Sequence, residues 1–164
     1  MARLATALMI MVPVAAQAAD APALPALTLV VAKPVELMCR TKSVVVKTDA
    51  ANATTGELKF SLVLKNEATK PPSGAWRIVS VADAHAGSLG HREAKVCAEA
   101  CPLTVGADGN IELWSPAPKS ITELKEGEML LLAVVKSKTL DLRATTFSGK
   151  EIEALEEGSC RTGS

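Results

Sequence analysis

Residues 56–66 read GELKFSLVLKN, and in them Leu58, Phe60, Leu62 and Leu64 alternate with Glu57, Lys59, Ser61 and Lys65. A period of two sets the leucines and the phenylalanine on one face of an extended chain and the polar set on the other. A strand with one wet face does not suit a parallel sheet covered on both sides, so the pattern points to antiparallel pairing. Any fold for this chain has to bury that apolar row against further strands.

Other segments supply them. Residues 27–34, LTLVVAKP, are apolar and β-branched and predict a first strand ended by Pro34. Val44 to Val46 form a strand seed, with Cys39 just before it. After the turn cluster 66–74, which holds Pro71, Pro72 and Gly74, alternation resumes. There Trp76, Ile78 and Ser80 share one side, and Arg77, Val79 and Val81 the other. Leu103 and Val105 precede GADGN, and Ile111 and Leu113 follow it. The Asp-Gly step tolerates positive φ and marks a hairpin. Residues 129–147 predict two strands folded about 136–138. Ser120 with Glu123, and Ser148 with Glu151, have capping-box spacing. They predict two short helical turns, the second running to Glu157 and ended by Gly158. Glu156 and Glu157 then read as a solvated helix edge. Together these elements predict an all-β chain, a single antiparallel β-sandwich or partly closed barrel with one or two short helical turns.

The N-terminus reads MARLATALMIMVPVAAQAAD. Arg3, an apolar run and the small-x-small exit Ala16-Gln17-Ala18 describe a secretory signal peptide over 1–18. The run falls short of the roughly 20 apolar residues of a spanning helix, and no later segment reaches that length. Residues 19–26 read as a flexible leader, and 27–164 as one β-rich domain of ordinary size. No transmembrane segment is expected after signal removal. The expected location is the periplasm or the extracellular space.

The chain carries 18 basic and 18 acidic residues, with two Phe, two Trp and no Tyr. It has neither the basic stripe nor the stacking aromatics that nucleic acid demands, so no nucleic-acid partner is expected. Four cysteines, Cys39, Cys97, Cys101 and Cys160, in an exported chain point to two disulfides, with three possible pairings. Cys97 with Cys101 and Cys39 with Cys160 is one of them.

A second reading concerns HAGSLGHREAKVCAEACP, residues 85–102, where His85, His91, Cys97 and Cys101 offer imidazole and thiolate ligands for copper(I) or zinc. On a helix Cys97 and Cys101 stand one turn apart on one face. The spacing of Cys97, Cys101 and Pro102 is similar to the Cys-x-x-x-Cys-Pro motif of the Sco-type copper chaperones. The similarity is confined to those three residues. That family implies a thioredoxin-like fold and a downstream ligand histidine, and this chain has no histidine after Cys101. The family is not assigned.

Hydrolase chemistry lacks a Gly-x-Ser-x-Gly elbow, and Asp83 with His85 reads as a polar strand end. No catalytic residue and no cofactor is expected. Trp114 lies on the strand face opposite Ile111 and Leu113, which makes it the candidate partner contact. The sequence thus predicts a non-enzymatic binding or accessory subunit with a protein partner in the cell envelope. The alternative is a periplasmic copper- or zinc-handling or thiol-redox protein that uses the 85–101 stretch.

Overall fold

A computed structural model describes residues 27–45, 54–82, 96–97 and 99–163. The signal segment, the leader, His85 and His91 lie outside the described residues. Eight antiparallel strands follow one another around a closed barrel. They are β1 (Val35–Val45), β2 (Thr54–Asn66), β3 (Ser73–Ala82), β4 (Cys101–Val105), β5 (Ile111–Ser115), β6 (Met129–Val135), β7 (Asp141–Ser148) and β8 (Glu151–Thr162). Each strand pairs with its neighbour in sequence, and β1 pairs with β8 to complete the ring. The all-β antiparallel expectation holds, with the barrel closed rather than partly closed.

The leucine row of β2 points inward as its period requires. Leu37, Phe60, Leu62, Trp76, Leu103 and Leu113 fill the barrel axis and are almost wholly buried. Phe60 meets Trp76 edge to face, with ring centroids 5.8 Å apart and planes at 82°, an arrangement favoured by the ring quadrupoles. The Trp76 indole N–H donates to the Trp114 carbonyl at 3.0 Å, so the one polar atom of the ring is satisfied.

Two of the three register shifts in the described ladders bear on which side chains face in. Phe60 pairs with Ile78 but Lys59 pairs with Ser80, which leaves Val79 as the extra residue of β3. Past the bulge the faces exchange. Val81 turns toward the core opposite Leu58, and Ser80 turns out, the reverse of simple alternation from Trp76. On β8, Ala154 pairs with Thr146 and Ile152 with Phe147. Phe147 then packs with Leu124, Leu130 and Trp114 in a second cluster on the outer flank of β5 to β7.

Three local expectations are corrected. Residues 27–34 form no strand. Val31 makes a single parallel bridge to Leu64, and Ala32 has φ of 60°, which breaks extension before Pro34. Leu27 and Leu29 still pack on the core, held by the Leu27 N–H to the Ser137 carbonyl at 2.6 Å. Cys39 lies inside β1 rather than before a strand. The helix expected from Ser148 to Glu157 is strand β8. Ser148 pairs directly with Glu151 around Gly149-Lys150, and Gly149 has φ of 59°. A glycine at the first central position of a two-residue loop is what a type II′ hairpin uses, so capping-box spacing here belongs to a β-turn. The expected turn after Ser120 is present as a 3₁₀ turn, Ile121–Glu123, although the Ser120 hydroxyl makes no cap bond.

The GADGN hairpin forms as expected. Gly109 has φ of 78°, and the Gly106 N–H donates to the Asn110 carbonyl at 2.9 Å. In the β5–β6 connection, Lys119 holds the Glu128 carboxyl below its ordinary range, aided by the Lys125 backbone N–H. Because that pKa is lowered, the contact contributes above the carboxyl's unfolded pKa and is lost as pH falls through the lowered one.

Gly158 marks a close approach of β8 to β1. A Cβ there would overlap the Arg40 carbonyl oxygen and lie 2.9 Å from Thr41 Cγ2 and 3.0 Å from Thr41 Cα. Replacing Gly158 by Ala is therefore expected to lower stability by about 1–3 kcal/mol through overpacking. Urea unfolding of the variant checks this; an unchanged midpoint would contradict such a close approach of β8 to β1.

Candidate functional site

The cysteines resolve into Cys39–Cys160 and Cys97–Cys101, and no described cysteine is free. Cys39 and Cys160 are direct partners in the β1·β8 ladder. The Cys160 N–H points away from β1, to the Leu140 carbonyl at 2.8 Å. A strand residue sends its N–H and C=O to the same side, so toward β1 this is a non-hydrogen-bonded pair, where facing side chains come closest. Cys97 and Cys101 join across a separation of four residues, beside Trp76, which pairs with Cys101. Joined to each other, these sulfurs lack the thiolate form that binds metal or attacks a disulfide. Of the alternative ligand set, His85 and His91 fall outside the described residues. Among the described residues no three of His, Cys, Asp and Glu gather as a metal set.

Trp114 points to the outer flank, as expected from Ile111 and Leu113. There it is half-buried against Leu124, Leu130 and Phe147. Its indole N–H donates to Thr104 Oγ1 at 3.1 Å, and that hydroxyl donates to Glu112 at 2.8 Å. The ring is anchored in place, with only part of its surface left for a partner.

One buried acid escaped the sequence reading. Glu156 belongs to β8 and points inward, 4% exposed, while Glu157 points out and pairs with Arg143 at 3.2 Å. The solvated-edge expectation for the pair is corrected, because adjacent residues on a strand face opposite ways and only Glu157 reaches water. Thr41, also buried, donates its hydroxyl to Glu156 Oε1 across the β1·β8 ladder. Room for this polar pair comes from small neighbours: Gly56 and Gly158 flank Thr41, and Ala144 lies beside Glu156. The signal that could have found it is the i, i+2 row Ala154, Glu156, Gly158, Cys160, which reads as a strand face once the helix is set aside.

A concavity of about 400 Å³ lies on the outer wall across β8, β1, β2 and β3. Two lateral rows of outward side chains line it. Arg161, Met38, Lys59 and Ser80 form one, and Ser159, Arg40, Glu57 and Ala82 the other. Arg40 grips Glu57 through Nη2 at 2.8 Å and Nε at 3.3 Å, and Lys59 reaches Glu36 at 2.6 Å. The outer wall is charged along β1, β2 and β8, with Glu36, Arg40, Lys42, Glu57, Lys59, Glu157 and Arg161 all facing outward. A barrel in a bilayer instead presents an apolar band to lipid.

Fold and site together define a disulfide-braced, closed eight-stranded antiparallel barrel with a side-chain-filled interior and a charged, locally concave outer wall. No family model, curated protein or solved structure matches the chain.

Thr41→Val keeps the shape of the Thr41 side chain and removes the donor to a buried carboxylate, a loss worth about 1–3 kcal/mol. Thermal unfolding of this variant at neutral pH should show that decrease, and Thr41→Ser should recover most of it. Equal stability of Thr41→Val and the parent would contradict a stabilising Thr41–Glu156 bond.

Proposed function

We propose that this chain is an exported, non-enzymatic binding or accessory subunit of a cell-envelope complex. The observation that carries the proposal is the closed and filled barrel. The lumen of an eight-stranded barrel either holds one small ligand or is filled by side chains, and here Phe60, Trp76 and the inward leucines occupy it. Recognition is then left to the outer wall and the loops. The buried hydroxyl–carboxylate pair Thr41–Glu156 braces the wall and is out of reach of a substrate. Two disulfides suit an oxidising compartment, and the N-terminal segment of the sequence reads as its export signal. The periplasm and the extracellular space both combine the two.

A copper- or zinc-handling role for His85, His91, Cys97 and Cys101 requires the Cys97–Cys101 bridge to be opened first, and a thiol-redox role would cycle that bridge, which places both second.

The test is recovery of the C-terminally tagged protein from native envelope fractions, with thiols alkylated before and after reduction. The expected result is a partner protein in fixed stoichiometry, confirmed by tagging the partner, and four cysteines that take up label only after reduction. Recovery from the cytosol, or as a monomer with no partner, would overturn the proposal. Free Cys97 and Cys101 with copper or zinc bound would overturn it in favour of the second role.

A further inference from the structure

We infer that the concavity over the β1·β8 seam docks an extended acidic peptide segment of the partner, a carboxylate set beside an apolar side chain. The inference rests on the binding role proposed above and assigns it a surface. Three cations line the concavity against one carboxylate, Glu57. Arg40 is already engaged with Glu57, and Lys59 with Glu36. Arg161 is exposed, and among the described residues it has no acidic partner. Its guanidinium presents a planar fork of donors that matches a carboxylate in a bidentate manner.

The second element is Met38. It sits between Arg161 and Lys59 in one lateral row and is 39% exposed. An unbranched thioether is an adaptable apolar floor, of the kind used at surfaces that receive varied peptide side chains. Ser80 and Ser159 stand at the two sides and offer hydroxyls to a backbone. With neighbouring strands about 4.8 Å apart, Arg161 and Lys59 bracket Met38 over roughly 10 Å. In an extended peptide, acidic, apolar and acidic side chains at positions i, i+2 and i+4 share one face and cover that span. The volume of about 400 Å³ falls within the size range of small ligand pockets.

The face also suits docking mechanically. It lies over the strands joined by Cys39–Cys160, so its side chains start from a backbone that is already ordered. Less conformational freedom is then lost on binding. The outer flank around Trp114, by contrast, is occupied by the protein's own Leu124 and Phe147.

The probe is a blocked Glu-Ser-Leu-Ser-Glu peptide titrated into the isotopically labelled protein, with blocked Lys-Ser-Leu-Ser-Lys as control. The expected result is saturable shifts at the Met38, Lys59 and Arg161 amides that weaken with salt. Arg161→Glu should reduce the affinity at least tenfold, and Met38→Ser should reduce it more mildly, both with an unchanged spectrum elsewhere. The absence of localised shifts at millimolar peptide, equal binding of the lysine peptide, or equal affinity of Arg161→Glu would overturn the assignment. If those results occur while the envelope partner is still recovered, the docking face lies elsewhere and the binding role stands. If the partner is lost as well, the role itself falls.

Discussion

The pairing of β1 with β8 is the interaction on which the barrel depends. Every other ladder joins strands that follow each other in sequence, so each closes a loop far shorter than the one between β1 and β8. The β1·β8 ladder, from Leu37 opposite Thr162 to Val45 opposite Ala154, joins the two ends of the described barrel. Closing a loop that long costs chain entropy, and the sequence concentrates its special devices on this seam. Cys39–Cys160 removes that entropy from the unfolded chain across a separation of 121 residues, about 5 kcal/mol in the chain-entropy model. Such a figure is comparable with the whole stability of many domains, about 5–15 kcal/mol. Gly158 lets β8 approach Arg40 and Thr41, and Thr41 binds Glu156 across the same gap. The Cys97–Cys101 bridge closes a loop of a few residues and is worth only about 2 kcal/mol on the same scale. Its role is local, holding the chain beside Trp76 where short β4 begins.

Closure has consequences for function. A sheet with open edges can recruit partners by adding a strand, and a closed barrel gives up that route. A lumen packed with aromatic and branched side chains gives up internal ligands. What is left is an outer wall whose strands present alternating charges, with Met38 exposed among them. Arg40–Glu57 is a surface ion pair and adds little to stability. On the proposed binding role these charges are the polar skin of the recognition surface, and Arg161 is the member that meets the partner.

Much of the fold could be read from residues whose local physics agrees with their tertiary surroundings. The β2 alternation and the Asp108-Gly109 turn needed no other context, since period and backbone freedom decide them. The Cys pairing was one of three, and the β1·β8 register selects it. The misread segments are those where local and tertiary preferences differ. Glu, Ala and Leu in 151–157 are good helix formers, yet the inward row Ala154, Glu156, Gly158, Cys160 completes a sheet that needs an eighth strand. The gain from closing the barrel outweighs helix propensity. Val79 shows no mark of a bulge in its composition; the two-to-one opposition to β2 exists only once the strands pair. Glu156 was hidden for the same reason, because its burial follows from the strand that the helical reading displaced. The outer concavity has no local signal at all, since its rows combine residues of β1, β2 and β3 with those of β8 at the far end of the barrel.

The most direct test is amide hydrogen exchange on the Cys39→Ala/Cys160→Ala protein, alongside its denaturant midpoint. If the seam governs the barrel, the midpoint falls by several kcal/mol equivalents, up to about 5. The β1 and β8 amides should lose protection before those of β5 and β6. An unchanged midpoint, with β1 and β8 still among the slowest-exchanging strands, would show that the barrel closes without the cross-link and contradict its governing role.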